Sequence, residues 1–174
     1  GDVPAQVIRG SRIESGERMH LSVLLSLAGY LEGSWRLPES NPRCNTDIDY
    51  FCELAVLAES FGLDAGFIAG TGSLWADVRR RPTGTFEPSV LAAAMLRATD
   101  QIGVIITMST TFNEPYAVAR RLASLDLLSD GRIGWNIVTS ASDETARNYG
   151  LDQRPSHAER YERCAEFVDV CLKL

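Results

Sequence analysis

Apolar runs and polar loops alternate along the chain in a regular order. Short apolar runs rich in β-branched residues predict strands, and longer segments with apolar positions three or four residues apart predict helices. The predicted strands are MHLSVLLSLAG (19–29), DAGFIAG (64–70), QIGVIITMSTT (101–111) and RIGWNIVTS (132–140). The predicted helices are NTDIDYFCELAVLAESFG (45–62), EPSVLAAAMLRATD (87–100), EPYAVARRLASLDLLSDG (114–131), SDETARNYG (142–150) and SHAERYERCAEFVDVCLKL (156–174). Such alternation is typical of right-handed βαβ units around a parallel sheet.

Capping residues and apolar stripes refine two of these helices. Thr46, with Asp49 three residues later, is the expected start of the first helix, and a capping box of Ser156 and Glu159 starts the last one. The Leu/Val-rich first strand is long enough to be buried on both faces. The stripes expected to be buried are Ile48, Phe51, Cys52, Ala55 and Ala58 in the first helix, and Tyr161, Cys164, Val168 and Cys171 in the last.

Two parallel architectures fit this order of elements. None of the strands is followed by a G-x-G-x-x-G turn, which argues against a dinucleotide-binding Rossmann fold. The alternative is a (β/α)8 TIM barrel, whose functional groups collect at the carboxyl ends of its strands. From the residues alone we therefore expect a parallel α/β fold that forms about four βα units over residues 19–174. Residues 1–18 are expected to form a polar extension.

Composition narrows the classes of partner. The 174 residues carry a formal net charge of -6, which disfavours nucleic acid, and the basic run Arg79 to Arg81 is expected to be a solvated loop. Four cysteines without a C-x-x-C pair and two histidines do not make a usual zinc site. No apolar run approaches the roughly 18 residues of a membrane span, and no signal peptide is visible. We expect a soluble, cytoplasmic protein without bound metal.

Neutral polar residues cluster where the third and fourth strands end. Thr107 lies in the third strand, and alternation places Asn136, Val138 and Ser140 on one face of the fourth. Amide and hydroxyl groups suit the polar edge and hydroxylated tail of a heterocyclic cofactor better than a metal. The alternative for Ser109 and Ser142 is that each caps the next helix, and we favour it. For Asn136 in mid-strand we favour a ligand.

A second candidate lies at the start of the last helix. His157, Arg160 and Tyr161 fall within one turn of its N-terminus, a position that favours anions, although the capping box there also has a purely structural explanation. The sequence shows no Ser-His-Asp arrangement, P-loop or paired carboxylates. From the residues alone, the prediction is a polar ligand site at strand ends.

Several motifs carry a family resemblance. TFNEPYAVARRLASLDLLSDGRIGWNIVTS (111–140), ARNYG (146–150), HAERYERCAEF (157–167), GSWR (33–36) and ELAVLAESFGLDAGFIA (53–69) resemble the nitrilotriacetate monooxygenase component A family. This family is a branch of the bacterial-luciferase-like flavin-dependent monooxygenases. The resemblance extends from about residue 19 to residue 174, and it is specific because the order and spacing of separate motifs agree.

The resemblance implies a TIM barrel that takes reduced flavin mononucleotide (FMN) from a separate flavin reductase. It also implies that oxygen is activated as a flavin hydroperoxide to oxidise a small organic substrate. Thr107 and Asn136 match positions that contact the flavin ring or its ribityl chain. Ser140 matches a pocket position beside the flavin, and Tyr161 matches a tyrosine that binds the phosphate.

This chain departs from the family at two positions. The family usually has a histidine soon after the first strand, where the chain has Gly29, Tyr30 and Leu31. It usually has alanine and aspartate at the end of the second strand, where the chain has Ala69 and Gly70. Both differences remove polar groups from the expected pocket, so no catalytic acid or base is identified. Substrate identity is also open, although the aromatic residues Tyr30, Trp35, Trp75 and Phe112 are candidates for an apolar substrate pocket or for core positions.

The resemblance implies that these four βα units are the N-terminal half of a (β/α)8 TIM barrel, and half a barrel needs a partner. Family barrels typically need ~250 residues or more, and four βα units leave the first and fourth strands as open edges. A second polypeptide, a second copy, or the remainder of a longer product would supply the missing strands. The main hypothesis is one half of a split, heterodimeric monooxygenase. The alternatives are a non-catalytic structural subunit and a deazaflavin-dependent oxidoreductase.

Overall fold

In the part of the chain that the structure describes, four strands and five helices follow one another in the predicted order. The computed structural model describes residues 19–25, 29, 31, 33–41, 43–74, 77–80 and 82–174, so the predicted extension 1–18 and Tyr30, Trp75 and Arg81 lie outside it. The strands are β1 (Ser22–Leu24), β2 (Ala65–Ile68), β3 (Gly103–Ser109) and β4 (Ile133–Val138). The helices are α1 (Ile48–Ser60), α2 (Pro88–Ala98), α3 (Pro115–Ser129), α4 (Asp143–Asn148) and α5 (His157–Lys173), and two short 3-10 helices cover Ser34–Arg36 and Cys44–Thr46.

The four strands form one parallel sheet in the order β1-β2-β3-β4. Each strand therefore pairs with the next one along the chain, as consecutive βα units of a barrel do. Within the described residues, β1 and β4 are the edge strands. In the pairing of β3 with β4, Thr107 lies beside Asn136 and Ser109 beside Val138.

The hydrophobic core lies between one face of the sheet and helices α1, α2, α3 and α5. Alternate residues of β3 point into this core, and the residues between them stay half-buried on the opposite face. The largest fully buried side chains come from both layers and include Phe51, Leu91, Met95, Leu96, Val104, Ile106 and Val118. The half-buried face, which carries Thr107 and Ser109, is the face that would line a barrel interior.

The predicted first strand is shorter and less buried than expected. β1 covers three residues, and Ser22 and Leu24 are exposed, so the prediction that this strand is buried on both faces was wrong for the described residues. Ser22 and Leu24 pair with Ala65 and Phe67 of β2, on the face that no helix covers. In addition, no described strand lies beyond β1. Burial of β1 therefore depends on structure outside this sheet.

The helix starts confirm one capping prediction and correct another. The Ser156 hydroxyl and the Glu159 carboxylate form the predicted capping box at the start of α5. α1 is capped by Asp47, which accepts a hydrogen bond from the Tyr50 backbone N–H at 3.3 Å, and not by Thr46, which belongs to the preceding 3-10 helix. An aspartate is as good a cap as a threonine, so two neighbouring candidates competed.

The two predicted helix stripes had different outcomes. In α1, Phe51, Ala55 and Ala58 are buried as expected. In α5 the buried residues are Arg160 and Phe167, whereas Tyr161 is 56% exposed, so the predicted stripe is displaced by one position at its start. An arginine was not expected to be buried, because its burial depends mostly on acceptors in the loop at residues 139–140, which is distant in sequence.

Two charged side chains, Glu59 and Arg132, each cross-link loops at the amino-terminal end of the sheet. The Glu59 carboxylate at the end of α1 accepts backbone N–H bonds from Asp100, Gln101 and Ile102 ahead of β3. The Arg132 guanidinium donates to Thr99 Oγ1 and to four backbone carbonyls: Leu96, Thr99, Ile102 and Ser129. Both groups replace water as the partner of loop backbone, so they fix the turns that start β3 and β4.

Glu59 makes stability depend on pH. Partial burial alone would raise the pKa of Glu59, but the backbone hydrogen bonds and the charge of Arg132 outweigh it, and the pKa lies below its usual value. A carboxyl whose pKa is lowered by folding stabilises the protein above its unfolded pKa, and this contribution is lost as the pH falls through the folded pKa.

We expect Glu59→Gln to lower the free energy of unfolding at pH 7 by about 1 kcal/mol, the size of a few partly exposed charged hydrogen bonds. Urea unfolding between pH 3 and pH 7 should show this difference shrinking below the ordinary glutamate pKa of 4.5. Glu53→Gln, an exposed change on the same helix, is the control and should be neutral. A difference that stays constant down to pH 3 would contradict the assignment.

Candidate functional site

The carboxyl ends of β2, β3 and β4 open into a small polar cleft. Its volume is about 300 Å³, and its lining includes Thr107, Ser109, Ser140 and Arg121. The loop after β2 closes one side, because the hydroxyls of Ser73 and Thr145 lie 3.0 Å apart and connect it to α4. The cleft is thus placed where barrel proteins carry their functional groups.

Asn136 and Thr107 form a hydrogen-bonded chain across the sheet. The Asn136 side-chain amide donates to Thr107 Oγ1 at 2.9 Å, and Thr107 Oγ1 donates to the Ile68 carbonyl at 3.0 Å. Parallel pairing brings the two side chains to one face. Asn136 Oδ1 receives no hydrogen bond from any described residue, which leaves an acceptor on the barrel-interior face. Thr107 lines the cleft directly, whereas Asn136 is not part of the lining and is connected to it through Thr107.

Ser109 and Ser140 meet at the end of the same face. The Ser140 hydroxyl donates to Ser109 Oγ at 2.9 Å, and Ser109 Oγ also accepts the Thr111 backbone N–H at 3.2 Å. Ser140 has a φ of 49°, in the left-handed region that serines rarely occupy. The prediction that Ser109 caps the next helix was therefore wrong: α3 is preceded by Glu114, and no side chain caps it.

Ser142 and Tyr161 mainly contact residues that are close to them in sequence. Ser142 does cap α4, because its hydroxyl accepts the Thr145 backbone N–H at 3.0 Å. Tyr161 lies in the first turn of α5, where its exposed ring stacks on His157 with 4.4 Å between ring centroids. Of the four residues predicted to bind flavin, Thr107 and Ser140 line the cleft, and Asn136 is hydrogen-bonded to Thr107. Tyr161 lies outside the lining of the cleft.

A larger apolar cavity adjoins the polar cleft. Its volume is about 750 Å³, and Leu24, Phe51, Ile68, Phe86 and Leu91 supply much of its wall. The two cavities share a short boundary made by residues 70–72 with 87–88. The arrangement offers a polar compartment and an apolar compartment side by side, as ligand sites with a few orienting polar groups commonly do.

Three residues of the cleft were not singled out from the sequence. Glu87 caps α2 by accepting the Ser89 and Val90 backbone N–H groups, and its second oxygen lies 3.7 Å from an Arg121 guanidinium nitrogen. Tyr149 stacks on Phe112 with 4.9 Å between ring centroids and covers one end of the cleft. A glutamate directly before a helix-starting proline was the available signal for Glu87; the positions of Arg121 and Tyr149 depend on tertiary contacts.

Comparison with known proteins identifies the family of this chain. Residues 27–174 match the luciferase-like monooxygenase family. That match covers most of the chain. The chain belongs to the luciferase-like monooxygenase family. The predicted resemblance and the predicted parallel α/β barrel topology are therefore confirmed.

Individual members of this luciferase-like family support the assignment. Nitrilotriacetate monooxygenase component A of Aminobacter aminovorans is 39% identical in an alignment 172 positions long that covers 92% of this chain and 38% of that protein. The structure of the EDTA monooxygenase from Chelativorans sp. BNC1 is 41% identical with a TM-score of 0.84, covering 91% of this chain and 37% of that one. A riboflavin lyase solved with modified FMN and riboflavin is 30% identical with a TM-score of 0.78, covering 91% and 38%.

The chain thus spans under two-fifths of the length of these luciferase-like relatives. The residues present nevertheless fit part of a flavin. Amide and hydroxyl groups from Thr107, Asn136, Ser109 and Ser140 match the hydrogen-bonding edge of a flavin ring and the hydroxyls of its ribityl chain. The described residues contain no group of three or more His, Cys, Asp or Glu side chains that could hold a metal ion. None of the described helices is long and apolar enough to cross a bilayer.

The glycine that replaces the expected aspartate at the end of the second strand has a steric reason. A Cβ atom at Gly70 would lie 2.6 Å from Pro88 Cγ and 3.1 Å from the Thr107 carbonyl oxygen. The start of α2 therefore packs directly on the strand end, and any side chain at position 70 would displace it. The departure is a change of packing as well as the loss of an acid.

We expect Gly70→Ala to lower the free energy of unfolding by roughly 1 to 3 kcal/mol, the usual cost of overpacking. Gly33→Ala is the matched control, because Gly33 has a φ of -95° and nothing lies within 4 Å of its added Cβ. Chemical denaturation of both variants makes the comparison. Equal stability of the two variants would show that α2 can shift without cost.

Proposed function

We propose that this chain is the flavin-binding part of an FMN-dependent, two-component monooxygenase that oxidises a small organic substrate. The observation that carries the proposal is two hydrogen-bonded pairs of amide and hydroxyl groups, Asn136 with Thr107 and Ser140 with Ser109, at adjacent strand ends in a luciferase-like chain. Thr107, Asn136 and Ser140 are proposed to hold the ring and ribityl chain. Tyr161, at the start of a 17-residue helix, is proposed to meet the phosphate.

The two cavities indicate separate roles for the flavin and for the protein. When bound, reduced flavin supplies the activation of oxygen, and a separate flavin reductase is proposed to deliver it. The protein's own task is to orient the flavin with neutral hydrogen-bonding groups and to exclude water from it. The apolar cavity beside the polar cleft offers a compartment for substrate, where Phe51 and Phe86 pack edge to face.

A partner structure is proposed to complete the barrel. β1 and β4 are edge strands within the described residues, and Leu24 and Ile137 are 44% and 42% exposed on them. Exposed strand edges with apolar side chains are normally covered. The relatives are more than twice as long as the matched region, so a second polypeptide, a second copy of this chain or the rest of a longer chain is the source of the missing strands.

One observation favours a second candidate, a non-catalytic subunit that supports a catalytic partner. Gly70 leaves no room for the aspartate that the family resemblance implies at that position, which removes one titratable group from the pocket. In this case flavin contacts would lie on the partner alone. The network around Asn136 argues against it, and flavin binding separates the two candidates.

We expect Asn136→Ala to weaken FMN binding about 5- to 30-fold, because the Thr107 hydroxyl at the cleft loses the amide that orients it and the Asn136 Oδ1 acceptor is removed. Flavin fluorescence titration of the assembled protein measures the dissociation constant, and oxygen consumption with reduced flavin measures turnover.

The control for Asn136 is Ser129→Ala. Ser129 is a buried hydroxyl that accepts the Arg132 backbone N–H at 3.1 Å, at the opposite end of the sheet. It should lower stability without changing FMN affinity. Unchanged flavin affinity and turnover in Asn136→Ala would refute the role assigned to Asn136.

Native mass spectrometry tests the partner. We expect the chain, isolated from cells that express its neighbouring genes, to appear above its own 19.1 kDa, with a second subunit or a second copy. A co-isolated flavin mass supports the oxygenase, and flavin contacts found on the partner alone support the structural subunit. A folded 19.1 kDa monomer would contradict the need for a partner.

A further inference from the structure

Arg160 is a buried cation whose contacts are all to neutral groups. Its side chain on α5 is 7% exposed, and no described carboxylate forms an ion pair with it. Its Nε donates to the Pro155 carbonyl at 3.1 Å, and its Nη1 donates to Thr139 Oγ1 at 3.1 Å, to the Thr139 carbonyl at 3.4 Å and to the Ser140 carbonyl. Burying a guanidinium costs free energy, and here that cost is offset by hydrogen bonds to neutral acceptors, mainly the backbone at residues 139–140.

The guanidinium holds a residue in a backbone conformation that is otherwise unfavourable. Ser140, whose carbonyl accepts from Arg160, is one of two non-glycine residues with positive φ among the described positions. The other, Asp130, ends helix α3, where a left-handed residue is ordinary. Ser140 follows a strand and has no helix end to explain it. Strained residues of this kind persist where the surroundings over-determine them.

The conformation of Ser140 decides where its hydroxyl lies. In the left-handed conformation the hydroxyl reaches Ser109 Oγ across the strand ends and lines the polar cleft. Thr139 is held at the same time from the other side, because the Thr111 hydroxyl donates to its carbonyl at 2.6 Å. Release of the carbonyls at 139 and 140 would let Ser140 relax to negative φ and move its hydroxyl away from the cleft.

We propose that Arg160 is a positioning residue that acts through Ser140, keeping its hydroxyl at the flavin cleft without contacting the ligand. The inference rests on the proposed function only for the identity of the ligand. The alternative for a cation at the start of α5 is a direct contact with the flavin phosphate. The two roles predict different results, because riboflavin lacks the phosphate.

The first test needs no flavin. In Arg160→Lys, we expect the ¹³Cα and ¹³Cβ NMR shifts of Ser140 to move from left-handed to extended values. Arg163→Lys is the matched control, one turn along the same helix, because Arg163 donates to the Thr110 and Asn113 carbonyls and not to residues 139–140. Unchanged Ser140 shifts in Arg160→Lys, or equal changes in both variants, would overturn the proposal.

The second test measures ligand affinity in the assembled protein. We expect Arg160→Lys and Ser140→Ala each to raise the dissociation constants of FMN and riboflavin about fivefold, the value of one hydrogen bond. The double variant should bind within about twofold of Ser140→Ala, because both changes remove the same contact. Losses that multiply, or a loss confined to FMN, would overturn the proposal in favour of a direct phosphate contact.

Two other results, failure of Arg160→Lys to fold and absence of flavin binding, also have a defined meaning. If Arg160→Lys does not fold, Thr139→Val replaces it, since this change removes one acceptor of the same nitrogen and keeps the charge; a smaller shift of Ser140 in the same direction is then expected, and its absence counts against the proposal. If the wild-type protein binds neither flavin, the proposed function fails. The NMR comparison still decides whether Arg160 holds Ser140.

Discussion

The parallel register between β3 and β4 is the constraint on which the candidate site depends. It puts Thr107 beside Asn136 and leaves Ser109 within reach of Ser140. A slip of one residue would turn Asn136 into the helix-facing core and Trp135 into the cleft. Trp135 opposes that slip, because its ring packs on Phe167 of α5 and its indole N–H donates to the Met108 carbonyl at 3.1 Å. Core packing on one face therefore fixes hydrogen bonding on the other.

The elements and their order could be predicted from the sequence, since apolar periodicity depends on each segment alone. The proximity of Thr107 to Asn136 also followed, because parallel strands end at the same edge. Burial of Arg160 could not be predicted, because three of its four acceptors come from the strand end at 139–140, which only the fold brings to α5. The pairing of Ser140 with Ser109 was also out of reach, since it needs a positive φ that alternation along a strand does not include.

The two ends of the sheet carry different kinds of side chain, and these serve different purposes. At the amino-terminal end, the charged groups of Glu59 and Arg132 form hydrogen bonds with loop backbone and fix the starts of β3 and β4. At the carboxyl-terminal end, an amide and three hydroxyls form hydrogen-bonded pairs, and the buried Arg160 holds the loop backbone at residues 139–140. The charged groups that fix the strand starts are thus separate from the proposed ligand contacts, so a change at one end of the sheet need not disturb the other.

The contact between Gly70 and Pro88 has a consequence for the history of this chain. A single change to aspartate at position 70 would clash with the start of α2 before any carboxylate could act. The helix would first have to move outward, and that movement brings no benefit while position 70 is glycine. An acid at position 70 is therefore separated from the present sequence by an unfavourable intermediate, and variants of this protein would more readily recruit a titratable group from another position.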